Sequence, residues 1–299
     1  MSFLLTGATG YIGSRLARRL AHAGHRVHVV VRPNSSLDSL KPILNRVQLH
    51  TYDGTAQSLL KLFTTNQIDL VIHLASLASV THSLNNFESM LQSNIVFGTQ
   101  LAEAMLIGKV PYLINTGTFS QHYNNCDYNP QSLYAATKQA FDDIILYYSE
   151  ATSLHCTTLE LFDSYGPFDP RPKIIPLLIQ AYRDGKTLAM SPGEQQLDLV
   201  YIDDIVDAYV TAAMRQLQGR TAKLERFVVA TNQPITLKQV VEQLERVTQS
   251  RLPIIWGERS YRMREIMIPW NKGKQLPDWQ AVTSIEEGLK QSVFATDDD

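Results

Sequence analysis

The feature that most constrains the fold is a run of three glycines between a short apolar segment and an amphipathic one. Gly7, Gly10 and Gly13 follow the apolar residues 3–5 and lead into a helical pattern at residues 13–22. At such a turn the glycine backbone can approach a pyrophosphate closely, and the first N–H groups of the helix can donate to it. The spacing therefore predicts a dinucleotide-binding strand–turn–helix unit, with an ordinary tight turn as the alternative.

Short apolar runs and helical patterns alternate through the first half of the chain. We predict further strands at residues 27–31, 47–50, 70–74, 112–114, 157–162 and 227–229, and helices at 56–63, 87–104 and 132–150. This alternation is typical of a doubly wound parallel sheet of the Rossmann type, an α/β fold. Proline and glycine cluster at residues 166–176 and 191–193, where the alternation ends.

These boundaries predict two regions. Residues 1–165 would form a dinucleotide-binding domain, completed by parts of 197–232. Residues 166–196 and 233–299 would form a smaller substrate-binding region, in which the aspartates at 297–299 are expected to be a solvated tail.

Composition excludes several classes of function. The 299 residues carry 27 Lys and Arg against 29 Asp and Glu, so no basic surface for nucleic acid or an anionic membrane is predicted. Two cysteines cannot build a disulfide framework, and the histidines lack metal-ligand spacing, so no metal is predicted. The long uncharged stretch at 70–87 is too polar to span a bilayer. We expect a cytoplasmic protein.

The residue after the second predicted strand bears on the choice of dinucleotide. Sites for NAD usually place Asp or Glu there, to bond the ribose 2′-hydroxyl. This chain instead has Arg32, whose planar guanidinium suits a 2′-phosphate, with Arg15 close enough in sequence to assist. The sequence therefore favours NADP(H), with NAD(H) and a merely solvated Arg32 as alternatives.

A tyrosine and a lysine stand four residues apart on the predicted helix 132–150. Tyr134 and Lys138 therefore share one helix face, after a hydroxyl-rich loop at 116–120. An ammonium beside a phenol favours the phenolate and lowers the pKa of the phenol, which suits general acid or base catalysis. An ordinary surface contact is the alternative.

Five further parts of the chain carry motifs that occur together with the glycine turn and the Tyr134/Lys138 pair. They are residues 71–76, Asn94, residues 165–167, residues 199–205 and residues 276–279. With the glycine turn and the Tyr134/Lys138 pair, they resemble the extended short-chain dehydrogenase/reductase family over nearly the whole chain. The resemblance is to its NAD(P)-dependent nucleotide-sugar epimerase/dehydratase/reductase branch. The segments 115–130 and 161–167 are similar to CDP-abequose synthase-like 4-ketoreductases.

The resemblance implies that Tyr134, Lys138 and Thr118 are catalytic, with Thr116 as the fallback for Thr118. It also implies that Asp53 meets adenine, with an Asp-Gly turn as the alternative. Together with the glycine turn and Arg32, it gives these cofactor contacts: Gly7, Thr9, Gly10, Tyr11, Ile12, Gly13, Arg32, Asp53, Leu74, Ala75, Ser76, Thr116, Tyr134 and Lys138.

Substrate contacts are predicted from a second set of side chains. They are Ser76, Thr118, His122, Arg171, Lys173 and Arg262. His122 has a structural histidine as its alternative. Cationic side chains are included because Leu197 stands where many relatives of this family place a phosphate-binding arginine. Another cation would then have to bind the phosphate, and the candidates are Arg171, Lys173, Arg262 and Arg264.

The reaction predicted is NADP(H)-dependent reduction of the 4-keto group of a nucleotide-linked hexose. Relatives that are 4,6-dehydratases carry an Asp-Glu pair after the catalytic threonine, where this chain has Phe119 and Ser120. The alternatives are a redox-neutral NAD-dependent 4-epimerase, an enzyme acting on an unactivated carbonyl compound, and a non-catalytic NAD(P)-binding scaffold. Apolar residues on the helix 132–150 favour a homodimer, with core packing as the alternative.

Overall fold

The computed structural model describes residues 1–79 and 81–296, so the predicted aspartate tail at 297–299 lies outside the described residues. The strands are β1 (Ser2–Thr6), β2 (Arg26–Val31), β3 (Val47–Thr51), β4 (Leu70–His73), β5 (Tyr112–Thr118), β6 (His155–Leu161), β7 (Asp163–Tyr165), β8 (Leu188–Met190), β9 (Gln196–Leu197), β10 (Leu199–Tyr201), β11 (Leu224–Val229), β12 (Ile235–Thr236) and β13 (Ile254–Trp256). The α-helices are α1 (Tyr11–His22), α2 (Ala56–Thr65), α3 (Phe87–Leu91), α4 (Phe97–Ile107), α5 (Leu133–Ala151), α6 (Ile174–Asp184), α7 (Ile202–Leu217), α8 (Leu237–Thr248) and α9 (Ile285–Phe294).

Seven strands form one parallel sheet in the order β11-β6-β5-β4-β1-β2-β3. From β1 the chain adds strands first on one side, as β2 and β3, and then on the other side, as β4, β5 and β6. The connections that leave β1 and β4 therefore run in opposite directions beyond the carboxyl ends of these two strands. In open α/β sheets a ligand crevice opens at this point. The predicted doubly wound Rossmann sheet is confirmed.

Alternate residues of the strands point to opposite faces of the sheet, which gives two apolar layers. Phe3 and Leu5 of β1 pack on the side of α1 and α7, whereas Leu4 packs on the side of α2, α4 and α5. A third apolar cluster joins α6, α8 and α9 through residues such as Leu178, Leu244 and Leu289. Most of this cluster lies in the predicted substrate-binding region, whose boundaries stay a prediction, and Tyr165, Leu199, Tyr201 and Ile202 join it from outside that region.

The predicted helix over 87–104 is present but irregular. A π-helical turn, Gln92–Val96, connects α3 to α4, and Asn94 lies within it. Such turns frequently mark functional sites, because they redirect a side chain that a regular helix would place elsewhere. Asn94 contributes to the site in this way.

The C-terminal segment returns to the edge of the sheet. Val228 of β11 donates its N–H to the Lys274 carbonyl at 2.8 Å, so this segment covers the edge strand. Further along, the Asp204 carboxylate accepts backbone N–H bonds from Val282 at 3.3 Å and Thr283 at 3.1 Å. The segment at 276–279 is itself held to α7, because Trp279 Nε1 donates to the Asp204 carbonyl at 2.9 Å and Arg215 Nη1 donates to Asp278 Oδ2 at 2.7 Å.

Candidate active site

The glycine turn forms a cradle with no room for side chains. Gly7 has φ +69°, and a Cβ there would lie 2.6 Å from the Ala75 nitrogen. A Cβ on Gly13 would lie 2.2 Å from the Gly7 carbonyl oxygen, and Gly10 donates its N–H to that oxygen at 3.0 Å. This close backbone, leading into the N-terminus of α1, fits the pyrophosphate of a dinucleotide.

Residues beside the cradle connect it to the second half of the chain. Thr9, Tyr11 and Ile12 are half-buried there. Tyr11 donates its hydroxyl to the Pro167 carbonyl at 3.1 Å, and Arg15 Nη2 donates to the same oxygen at 2.7 Å. Arg15 is therefore directed to Pro167, and this contact removes the expected assistance to Arg32.

The end of β2 has a cation where NAD sites usually have an acid. Arg32 has an exposed side chain, and its backbone N–H donates to Ser35 Oγ at 3.1 Å. Asp53 is also exposed, and its Oδ1 accepts the Thr55 hydroxyl at 2.6 Å and the Thr55 N–H at 3.0 Å. These two bonds lower the pKa of Asp53 and are those of a turn-forming aspartate, so its contact with adenine stays a prediction.

The segment that follows β4 is fixed by polar contacts on both sides. Thr6 accepts the N–H of Leu74 at its carbonyl and that of Ala75 at its hydroxyl. Ser76 donates its hydroxyl to Asn94 Oδ1 at 3.0 Å, and Asn94 Nδ2 donates to Thr137 Oγ1 at 3.0 Å. The π-turn therefore ties this segment to α5, which carries the tyrosine and the lysine.

Helix α5 carries both residues of the predicted pair. Ser132 caps the helix by accepting the Ala135 N–H at 3.3 Å, so that Tyr134 and Lys138 lie on the first turns. Tyr134 is half-buried and Lys138 is only 2% exposed. The spacing of the pair predicts a shared helix face, and the structure places Tyr134 beside Ser76 and Lys138 near His73, the last residue of β4.

The electrostatics of the pair differ from the expectation in one respect. Burial raises the pKa of Tyr134 to about 12, and a hydrogen bond with Ser76 opposes the rise. Burial lowers the pKa of Lys138 to about 8, against the charge of Asp142. The expected fall in the pKa of Tyr134 is wrong for the protein alone, because removal of the phenol from water disfavours the phenolate. Near pH 7, Tyr134 holds its proton.

The two threonines at the end of β5 have different surroundings. Thr116 Oγ1 donates to the His73 carbonyl at 2.8 Å and contacts the Tyr209 hydroxyl at 2.6 Å. Thr118 Oγ1 accepts the Ser120 N–H at 3.3 Å and so keeps its own proton to donate. These contacts favour Thr118 over Thr116 for an interaction with a substrate oxygen, and both roles stay predictions.

His122 lies in a buried polar cluster. Its Nε2 is 3.1 Å from Glu160 Oε1, and its Nδ1 is 3.2 Å from the Cys126 carbonyl oxygen. Its ring stacks on Trp270 with centroids 3.5 Å apart. Both ring nitrogens face partners within the chain, which favours the structural alternative, and a contact with substrate stays a prediction.

The cations proposed for phosphate binding are held to different degrees. Arg171 binds Asp169 through two bonds, Nε to Oδ1 at 2.7 Å and Nη2 to Oδ2 at 2.6 Å. Lys173 Nζ lies 3.9 Å from Asp163, and burial lowers the pKa of Lys173. Arg264 packs on Tyr123 and donates to Asn129, whereas Arg262 has an exposed side chain. Leu197, in β9, is half-buried and apolar.

The described residues contain neither a metal-binding cluster nor a membrane-spanning helix. No cluster of three or more His, Cys, Asp or Glu side chains suited to a metal ion occurs at residues 1–79 and 81–296. Over the same residues, no helix is long and apolar enough to cross a membrane.

Comparison with known proteins identifies the family. Residues 3–230 match the NAD dependent epimerase/dehydratase family. The chain belongs to this family. The predicted family resemblance is thereby confirmed.

Individual members of the epimerase/dehydratase family cover nearly the whole chain. The chain is 26% identical to CDP-abequose synthase of Salmonella muenchen, over 97% of this chain and 96% of that protein. It is 29% identical to UDP-glucuronate 4-epimerase of Thermodesulfobacterium geofontis, over 97% and 94%. Among solved structures, a UDP-glucuronic acid 4-epimerase from Bacillus cereus with NAD superposes with a TM-score of 0.85 at 23% identity, covering 98% of both chains. That likeness shows the fold.

Proposed function

We propose that this family member reduces the 4-keto group of a nucleotide-linked hexose or 6-deoxyhexose with NADP(H). The observation that carries the proposal is the placement of Tyr134 one helical turn before the buried Lys138 on α5, where burial raises the pKa of the phenol. A reduction needs a proton donor at the oxygen that receives it, and Tyr134 is in the donor state near neutral pH.

The chain's residues divide the binding of the dinucleotide among them. The cradle of Gly7, Gly10 and Gly13 receives the pyrophosphate, and Lys138 bonds the nicotinamide ribose. Arg32 reads the 2′-phosphate, which is supported by its exposed guanidinium and by the lack of an acid at the end of β2. The Bacillus cereus epimerase has NAD bound, so NAD(H) is the alternative cofactor.

The proton step uses the carboxyl end of β5 and the start of α5. When bound, the reduced nicotinamide supplies a hydride to C4 of the sugar, and the C4–O4 π bond breaks. Tyr134 donates its proton to O4 and becomes a phenolate, which the Lys138 ammonium stabilises. Thr118 donates a hydrogen bond to the same oxygen, and Ser76 orients the phenol.

Dehydratase chemistry is disfavoured by the two residues after Thr118. Phe119 stacks on Phe162 with centroids 4.8 Å apart, and the Ser120 carbonyl accepts the Gln131 N–H at 2.8 Å. Neither side chain can remove or deliver the protons that loss of water requires. The choice between reductase and epimerase therefore rests on the cofactor and on its net consumption.

The test is consumption of NADPH with a panel of nucleotide-linked 4-keto-hexoses. Wild-type protein should oxidise NADPH with at least one of them, and Tyr134→Phe should lower kcat by about a hundredfold or more while NADPH affinity holds. Equal rates in the two proteins would contradict the proposed role of Tyr134. Interconversion of a 4-hydroxy nucleotide sugar and its C4 epimer, without net oxidation of cofactor, would instead favour a 4-epimerase, the activity named for the Thermodesulfobacterium relative.

The substrate's diphosphate requires cations that are free to meet it. The exposed Arg262 and the half-buried Lys173 are our candidates, because Arg171 is already held by Asp169. Arg262→Gln should raise KM for the nucleotide sugar while leaving NADPH affinity unchanged. A KM equal to that of wild type would remove Arg262 from the substrate site.

The proposal also covers the oligomeric state of the protein and its cellular compartment. On α5, Tyr147 is 66% exposed and Leu146 is 46% exposed, whereas Tyr148 packs in the chain's own core and donates to Glu103. We propose a cytoplasmic homodimer that covers Tyr147 and Leu146. Light scattering should give a dimer mass that Tyr147→Glu reduces, and a monomeric wild type would contradict it.

A further inference from the structure

A buried carboxylate lies directly behind the proposed catalytic residues. Asp142 follows Lys138 by one turn of α5 and is only 6% exposed. Its partners are Asn115 Nδ2 at 2.9 Å and Thr158 Oγ1 at 3.3 Å on Oδ1, with Gln121 Nε2 at 3.1 Å and Arg226 Nη2 at 3.0 Å on Oδ2. Burial raises the pKa of Asp142, but the Arg226 charge and the Gln121 bond oppose that rise, and three of the four partners are N–H donors, which favours the ionised carboxylate.

Gln121 connects Asp142 to the end of β5. Its Oε1 accepts the backbone N–H of Thr118 at 3.0 Å, while its Nε2 donates to Asp142 and to Gln139 Oε1. Both ends of the amide are thus engaged. The backbone position of Thr118 therefore depends on a bond that ends at Asp142.

Asp142 also supplies a negative charge near Lys138. The other titratable groups facing Lys138 are His73 of β4, which burial keeps neutral, and Tyr134 on the same helix. Asp142 in turn faces Arg226 of β11 and Glu160 of β6. Among these groups, Asp142 is the one whose charge raises the pKa of Lys138 against burial.

We propose that Asp142 is a positioning residue, which fixes Thr118 through Gln121 and places a carboxylate one helical turn after Lys138. The inference rests on the proposed function, since Thr118 and Lys138 act on substrate and cofactor there. The spacing of an acid four residues after the lysine is visible in the sequence. Its link to Thr118 requires the fold.

The first test is the pH dependence of NADPH binding, followed by cofactor fluorescence. Affinity in the wild type should fall as the pH rises through about 8, where Lys138 loses its proton. In Asp142→Asn the fall should begin lower by about one pH unit, because the opposite charge is gone. Asp142→Glu, which keeps the charge, should restore the wild-type profile.

Asp143→Asn is the matched control. This substitution also removes one negative charge, but from the neighbouring residue, whose carboxylate is exposed and accepts a hydrogen bond from Gln139. Its pH profile should equal that of the wild type. A wild-type profile in folded Asp142→Asn would overturn the inference. Failure of the wild type to bind either NADPH or NADH would instead overturn the proposed function, and the inference with it.

A second variant tests the link between Asp142 and Thr118 if Asp142→Asn does not fold. Gln121→Met keeps the side-chain length but removes the bond to Thr118 and the bond to Asp142. We expect unchanged NADPH affinity and a kcat between about tenfold and a hundredfold lower with the 4-keto sugar, because Thr118 loses its support. An unchanged kcat would overturn the link through Gln121.

Discussion

The guanidinium of Arg171 lies over the ring of Tyr11, with its Cζ 4.6 Å from the ring centroid. The same guanidinium binds Asp169, whose side chain is fully buried. A residue from the glycine turn and a residue from the predicted substrate region are therefore in direct contact. Arg171 is better placed to connect these two parts than to meet a phosphate.

Loss of Arg171 should destabilise the fold. Arg171→Gln leaves the buried Asp169 without its charged partner, so we expect the free energy of unfolding to fall by about 1–3 kcal/mol. Arg259→Gln, at an exposed arginine, should change it by less than about 0.5 kcal/mol. Urea unfolding measures both. Equal stabilities of the two variants would show that the Asp169 contact contributes nothing.

Arg32 should determine the choice between the two dinucleotides. Arg32→Ala would remove the proposed charge-assisted contact with the 2′-phosphate and should weaken NADPH binding by about tenfold or more, leaving NADH binding unchanged. Arg26→Ala, at the opposite end of β2, should alter neither affinity. Fluorescence titration with each cofactor gives the ratio. An equal loss for both cofactors would be inconsistent with recognition of the 2′-phosphate.

The glycine cradle gives a comparison at matched backbone strain. Gly7 and Gly24 both have positive φ, but a Cβ on Gly24 meets nothing within 4 Å. Each change to alanine should cost about 1 kcal/mol of stability from the backbone alone. Gly7→Ala should in addition abolish NADPH binding, because the new Cβ displaces the segment at Ala75. Retained binding in Gly7→Ala would place the pyrophosphate elsewhere.

His28 should make the protein sensitive to mild acid. Burial and the neighbouring His50 lower the pKa of His28 from 6.5 to about 4. Between these pH values the unfolded chain binds a proton that the folded chain does not, so stability falls as the pH falls. The loss of unfolding free energy from pH 7 to pH 5 should be smaller in His28→Asn by at least about 1 kcal/mol.

The exposed His22 supplies the control for this experiment. His22→Asn should lose as much stability as the wild type over the same pH interval. Equal losses in His28→Asn and the wild type would mean that His28 does not carry the acid sensitivity.

Local patterns in the sequence are sufficient for the nucleotide-binding half of the fold. The apolar run at 3–5 and the glycine spacing predict β1, the turn and α1 because each depends on neighbouring residues. The Tyr134/Lys138 pair follows from helical spacing in the same way. The short strands β9 and β12 are absent from the sequence prediction because pairing between distant residues defines them. The helices after residue 166 are also absent from it, although the Thr236 capping box of α8 and the Ser284 cap of α9 are local signals.

The polar interior of the site is what the sequence could not predict. Asp142, Glu160 and Arg226 come from three different elements and look like ordinary surface charges along the chain. The fold buries Asp142 and Glu160 side by side and brings Arg226, whose side chain is 38% exposed, within 3.0 Å of the first and 3.2 Å of the second. The sequence could not predict the direction in which the pKa of Tyr134 shifts either, because that shift depends on how much water the fold removes from the phenol.

The most direct test of the account is the fate of a deuteride from labelled NADPH. One equivalent of cofactor, deuterated at the transferable position, is incubated with a nucleotide-linked 4-keto-hexose, and the sugar product is analysed by mass spectrometry. We predict one deuterium at C4 of the product and one NADP+ for each sugar reduced. Recovery of the 4-keto sugar without deuterium and without oxidised cofactor would contradict the proposed reduction.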